Sequence, residues 1–191
     1  IYLIATTVIV SKDGTLYLEL ANQFGNKPLE VIRGQHPFGL PFLVYCVQSV
    51  LSVFIDADTV SGWEVSGQIA TLICKTLSFV PLFYIGKRIV GSRHTFLGLV
   101  ILTFLPYPAE MGSDILRDWP HLLLLSTGIL FLWKGFESRK WWWFVFAGII
   151  SGLGHMVRVE CAQIVIYGLI FIAILFFLKW QKVSKGRLLL W

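Results

Sequence analysis

The chain is poor in charge and in cysteine, and it has no stretch that reads as a separate soluble domain. Only 14% of its 191 residues are charged, against about 25% in a soluble domain, so these residues cannot build an ordinary water-facing surface. The three cysteines, Cys46, Cys74 and Cys161, show neither CxxC nor metal-ligand spacing. That excludes a disulfide framework and a zinc module, and they read as small apolar residues. No internal repeat or low-complexity segment stands out. The formal net charge is +5, with the bases clustered between apolar runs, and no nucleic-acid partner is expected.

What is present is apolar. The sequence is 56% hydrophobic, with a mean hydropathy of +0.73. Residues 65–86, 95–109, 119–133, 141–157 and 161–178 are nearly uncharged, and several approach the ~20 residues that cross a bilayer as a helix. The runs 95–109 and 119–133 reach that length only by recruiting the polar residues between them. The fold expected is all-α, a polytopic transmembrane helical bundle. Residues 1–10 end a first helix, 11–63 form a long outer loop carrying juxtamembrane helices, and 64–180 hold five spanning helices. The chain opens at Ile1 inside an apolar run and stops at Trp191 after a basic loop, so an incomplete domain is expected. A signal peptide competes for the first run, but there is no basic start and no small-residue cleavage site.

Charge gives the orientation. Ten of the sixteen bases fall in three loops: Lys87, Arg88 and Arg93; Lys134, Arg139 and Lys140; Lys179, Lys182, Lys185 and Arg187. Positive loops mark the cytoplasmic side. All the acids except Glu137 lie in the other connections. Residues 38–55 look like a span, yet a crossing there would invert every later assignment, so they read as a juxtamembrane or re-entrant helix on the outer side. Trp63 and Trp119 then fall at outer ends, and Trp133, Trp141, Trp142, Trp143 and Trp180 at inner ends, as interfacial belts do.

This topology gathers the chemistry on the outer side. The first loop brings Asp13, Tyr17 and Glu19, then Arg33 and His36. The next outer connection brings Glu110, Asp114, Arg117 and Asp118, and the last brings His155, Arg158 and Glu160. Glu110, Asp114 and Asp118 are spaced by four, which predicts three carboxylates on one helical face, where like charges repel by a few tenths of a kcal/mol. Each residue also has a plainer reading. Asp118 before Trp119-Pro120 is a natural helix N-cap, Glu110 and Asp114 suit the positive end of a helix dipole, and Asp13-Gly14 is an ordinary turn. His36-Pro37 is equally a helix start, and Arg158 equally a membrane anchor. Lys75 lies deep in its span, where an ionisable group is a functional candidate unless it is paired or snorkels.

Five stretches in series resemble one family. They are "SKDGTLYLELA" (like SxDGxxYLxLA), "RGQHPFGLPFL" (like RxxHPPLYPLL), "YIGKRIVG" (like YxxxRRLFG), "SDILRDWPHLLLL" (like SExLSDxLxL) and "GIISGLGHMVRVECAQI" (like GLLLGLAxLTRPEGLL). Together, over residues 11–178, the chain resembles the polytopic glycosyltransferases of the GT-C fold. The likeness is to bacterial members grouped with dolichyl-phosphate-mannose–protein mannosyltransferases and aminoarabinose transferases. It departs at Phe38, where a second Pro is usual, at Val159, which replaces the Pro of the TRPE turn, and at Trp119-Pro120.

The resemblance implies a donor sugar on a polyprenyl phosphate, an acceptor hydroxyl on a glycan, lipid or protein, and reaction at the outer (periplasmic) face of a bacterial inner membrane. Membrane lipids are the remaining partners. It places Asp13 as the base, and direct displacement would invert the anomeric carbon. The phosphate leaving group needs positive charge, for which Arg117 and Arg158 are the candidates, with His36 secondary. Asp114 and Asp118 would orient a head group, and Glu110 and Glu160 join the substrate-binding set. No cofactor is certain. A divalent metal, Mg or Mn, would fall to Asp13 and Asp118 as hard oxygen ligands. The competing classes are a lipid-linked substrate transporter or flippase, which would place polar groups at the bilayer midplane, and a non-catalytic membrane subunit.

Overall fold

The structure, a computed structural model, describes residues 12–53, 59–105, 114–138 and 140–183. The expected first helix (1–10), Glu110, and the Asp56-Ala57-Asp58 stretch lie outside the described residues. Every regular element among those described is helical: α1 (Lys12–Asn26), α2 (Pro28–Ile32), α3 (Gly39–Leu51), α4 (Val60–Val90), α5 (Ser92–Phe104), α6 (Asp118–Ser138), α7 (Trp142–Val157), a 3-10 turn (Val159–Ala162) and α8 (Gln163–Val183). Among these, α4 alone is both long and apolar enough to cross a membrane by length and composition. Helices α6 and α8 have 21 residues each, about 31 Å at 1.5 Å per residue. Helix α3 has 13 residues and α7 has 16.

Local chemistry sets these boundaries. Thr59 caps α4, its side chain accepting from Gly62 N at 3.2 Å. Lys87 and Arg88 occupy its last turn, where cations meet the negative end of the dipole. The helix stops at Gly91, whose φ of 84° suits a residue without Cβ. The run 95–109 does not continue as one helix. Leu105 is extended (φ −62°, ψ 132°), because the following Pro106 disfavours helical backbone at the residue before it.

Contacts fix the directions of the helices. Along α4, Gly67 meets Ile115 just before α6 begins, and Arg88 ion-pairs with Glu137 near the end of α6, so α4 and α6 run parallel. Gly86 against Thr95 turns α5 back on α4. Gly135 against Phe144 and Gly154 against Leu124 make α7 antiparallel to α6, while Gly128 on Ile164 and Gly168 on Leu132 make α8 parallel to it. Successive helices from α4 to α8 thus alternate in direction.

The two ends differ chemically. At one end bases rest on aromatic rings: Arg88 over Trp133, Lys134 over Tyr84 and Trp143, Lys140 over Trp142. At the other end α1 and α3 fold over the bundle. There Tyr17, Leu18 and Ala21 of α1, Leu40 and Val44 of α3, Ala70 of α4 and Ile115 form a buried apolar cluster. Ile115 is fully buried because Gly67 leaves room; a Cβ on Gly67 would sit 2.7 Å from its Cδ1.

Candidate functional site

The site lies where the first turn of α6 meets the turn leaving α7. Helix α7 ends because Arg158 is extended (φ −155°, ψ 129°), and the 3-10 turn then carries Glu160. Arg158 lies between two acids. Its Nη1 donates to Asp118 Oδ1 at 2.7 Å, and its Nε lies 3.2 Å from Glu160 Oε1. Burial alone would lower the Arg158 pKa, but the hydrogen bond and charge of Glu160, with those of Asp118, hold it above its ordinary value. Glu160's carboxyl is held below the usual range first by its own backbone N–H, which opposes burial, and then by the hydrogen bond and charge of Arg158 and the charge of His121. A guanidinium fixed by two carboxylates still has N–H donors to spare.

Helix α1 brings the first loop to the same place. Asp13 sits in its first turn, and Tyr17 is one turn further along, on the same face. Tyr17 is 3% exposed, and Arg117 stacks on its ring at 5.4 Å. Burial pushes the Tyr17 hydroxyl above its ordinary pKa; Arg117 and Arg158 pull it down, and Asp13 and Asp118 push it up. One neutral phenol therefore lies within electrostatic reach of all four charges. Asp13, Arg117, Asp118, Arg158 and Glu160 are thus brought together.

Several expectations are corrected. Asp114 and Asp118 do not share a helical face, because α6 starts only at Asp118. Asp114 sits in a bend and its Oδ1 accepts from Ile115 N at 2.7 Å. Asp118 is the first residue of α6, and its Oδ1 accepts from Arg158. Asp13-Gly14 is not a free turn, since both residues lie inside α1. His36 is exposed, and its loop is pinned near the end of α7. Gly39 packs on Met156, where a Cβ would sit 2.8 Å from the backbone carbonyl. Among the described residues no group of three or more His, Cys, Asp or Glu is arranged for a metal. Lys75 is 7% exposed, and its ammonium lies 5.1 Å from the centroid of the Trp119 ring.

His121 was absent from the sequence-level candidates. It lies one turn after Asp118, and its Nδ1 is 3.1 Å from Cys161 Sγ. The only signal in the sequence was its spacing of three from Asp118, which places both on one face of α6.

Beside this polar cluster opens an apolar groove of about 760 Å³. Its walls include Phe24, Phe42, Ile73, Leu124, Met156 and Val157, the last of these immediately preceding Arg158. An apolar trough whose wall at Val157 leads directly to the charged Arg158 suits a molecule with a polar head and a long hydrocarbon tail.

A family model described as dolichyl-phosphate-mannose-protein mannosyltransferase matches residues 35–190. The match includes Arg117, Asp118, Arg158 and Glu160, and begins beyond Asp13. No curated protein matches the chain, and no solved structure does.

Proposed function

The chain belongs to the dolichyl-phosphate-mannose-protein mannosyltransferase family, and on that footing we propose that it transfers a sugar from a polyprenyl-phosphate donor to an acceptor hydroxyl at the non-cytoplasmic membrane face. Membership by itself implies a glycosyltransferase of the mannosyltransferase kind, with a lipid-linked donor and an acceptor. The finer reading is supported by one observation: Val157, which lines the apolar groove, is followed directly by Arg158 with its two acids. In this reading α4 to α8 cross a bacterial inner membrane in alternation, with the Arg158 end facing the periplasm and the basic, aromatic end facing the cytoplasm.

The chemistry follows from the residues. The acceptor oxygen attacks the anomeric carbon as the bond from that carbon to the phosphate oxygen breaks, which inverts the centre. The phosphate leaves with the electron pair and needs cations rather than a proton donor. Arg158 supplies one through its remaining N–H groups, and such charge-assisted bonds are short and strong. Asp13 accepts the hydroxyl proton as bonding develops, worth roughly 10²–10⁴-fold. Asp118 and Glu160 hold the guanidinium so that little reorganisation is needed.

The test compares turnover and donor affinity on the same preparations. Asp13→Asn should lower turnover by about two to four decades with donor affinity little changed. Arg158→Ala should weaken donor binding more than it slows the bound complex. Near-normal turnover in Asp13→Asn removes Asp13 from catalysis.

A further inference from the structure

The contacts between α6 and the 3-10 turn come as a matched pair. Asp118 reaches Arg158, and His121 reaches Cys161, each across forty residues. The spacing is three on both sides. On α6 that spacing keeps two side chains on one face. Arg158 is the extended residue just before the 3-10 turn and Cys161 lies within it, and the two contacts themselves show that both side chains meet α6. The two strands of contact therefore register only if both form together.

Cys161 is well placed to anchor that register. Its Sγ packs on Gly154, where a Cβ would come within 2.6 Å, and the residue is fully buried. Its carbonyl accepts from Ser151 Oγ at 3.0 Å. Its N–H donates to the carbonyl of Arg158 at 3.0 Å, which ties the backbone of Arg158 to the cysteine that His121 holds. Asp118 grips the guanidinium, and His121, through Cys161, grips the backbone beneath it.

We propose that His121 is a positioning residue for Arg158. With Cys161 it forms the second half of a two-point clasp that sets the guanidinium, one residue beyond the groove-lining Val157. The proposal rests on the transferase reading for what Arg158 binds, and on the contacts alone for the clasp.

The experiment measures undecaprenyl phosphate binding, turnover with a polyprenyl-phosphate sugar, and thermal unfolding in the same detergent. His121→Ala and Cys161→Ala should each weaken binding about three- to tenfold, the scale of coupling between contacting residues, with turnover of the bound complex changed less. The double variant should be no worse than either single one. His121→Asn places a polar atom where Nδ1 stood and should restore binding; His121→Gln, which reaches past that point, should not. Additive losses, or an Asn variant as impaired as the Ala variant, would overturn the proposal. So would a fall in turnover at unchanged affinity. If the wild-type protein does not take undecaprenyl phosphate, the transferase reading fails. The clasp is then decided by the unfolding cycle, where non-additivity upholds it and additivity overturns it.

Discussion

Arg158 is the residue on which the others converge, and its two acids are not equivalent. Asp118 and Arg158 are both partly exposed, so the pair contributes little to stability, about 0–1 kcal/mol. Its value lies in aim. Asp118→Ala should therefore leave the unfolding temperature nearly unchanged while weakening donor binding about fivefold. Asp118→Asn keeps an oxygen for Nη1 and should lose less. Glu160 sets a pH dependence instead. Its folded-state pKa lies below its unfolded one, so its stabilising contribution is fully present above the unfolded value. It is lost as the pH falls through the folded value. Unfolding scans of wild type and Glu160→Gln should run parallel above about pH 6 and converge as the pH drops below the ordinary glutamate range. Parallel curves throughout would show that the Glu160 carboxylate is held neither by its own backbone N–H nor by Arg158.

At the level of elements, α3 decides the shape of the groove, and it depends on one close approach. Gly39 lies on the Met156 carbonyl at the end of α7, which is backbone and cannot swing aside. Gly39→Val should push α3 off α7, costing about 1–3 kcal/mol as overpacking does, and should deform the groove. Gly98 on α5 has open space around it, so Gly98→Ala should be neutral or slightly stabilising. A loss of lipid binding in the first variant, with none in the second, checks the placement by unfolding and binding together. The apolar run 161–178 was legible as a helix from its composition alone. The break at Leu105 was also readable, from Pro106. The start of α6 at Asp118 was offered by the Asp118-Trp119-Pro120 signal; the departure of Asp114 from that helix was not, because its side chain bonds the next backbone N–H and bends the chain there.

For the whole molecule the consequence is polarity along one axis. Bases stacked on tryptophan and tyrosine mark one end, and the Arg158 cluster marks the other. If the alternating helices cross a bilayer, Gln35 and Ser92 lie on opposite sides. Both are exposed. Cys46 is the exposed thiol, while Cys74 and Cys161 are buried, so a Cys46→Ser background suffices. Single cysteines at Gln35 and Ser92 should then react with a membrane-impermeant thiol reagent from opposite faces. Reaction of both from one face would show that α4 does not cross, and reaction from opposite faces with Gln35 on the cytoplasmic side would move the site to the cytoplasm.

Composition and order along the chain determined the all-helical class and the position of the apolar helices, because burial of apolar area and helix-breaking residues act locally and leave their period in the sequence, and the five motifs in series carried the resemblance to the family. Asp13, Arg117, Asp118, Arg158 and Glu160 were legible as candidates for the same reason: charges in an apolar chain are few. Their partners were not. That Asp118 meets Arg158 and that His121 comes to rest on Cys161 depend on contacts forty residues apart, while Asp114 is turned away by a bond to the N–H of its own neighbour Ile115. Such pairings are settled by where a glycine lets two backbones approach, as at Gly39 and Gly154, and only the packed structure makes those approaches visible.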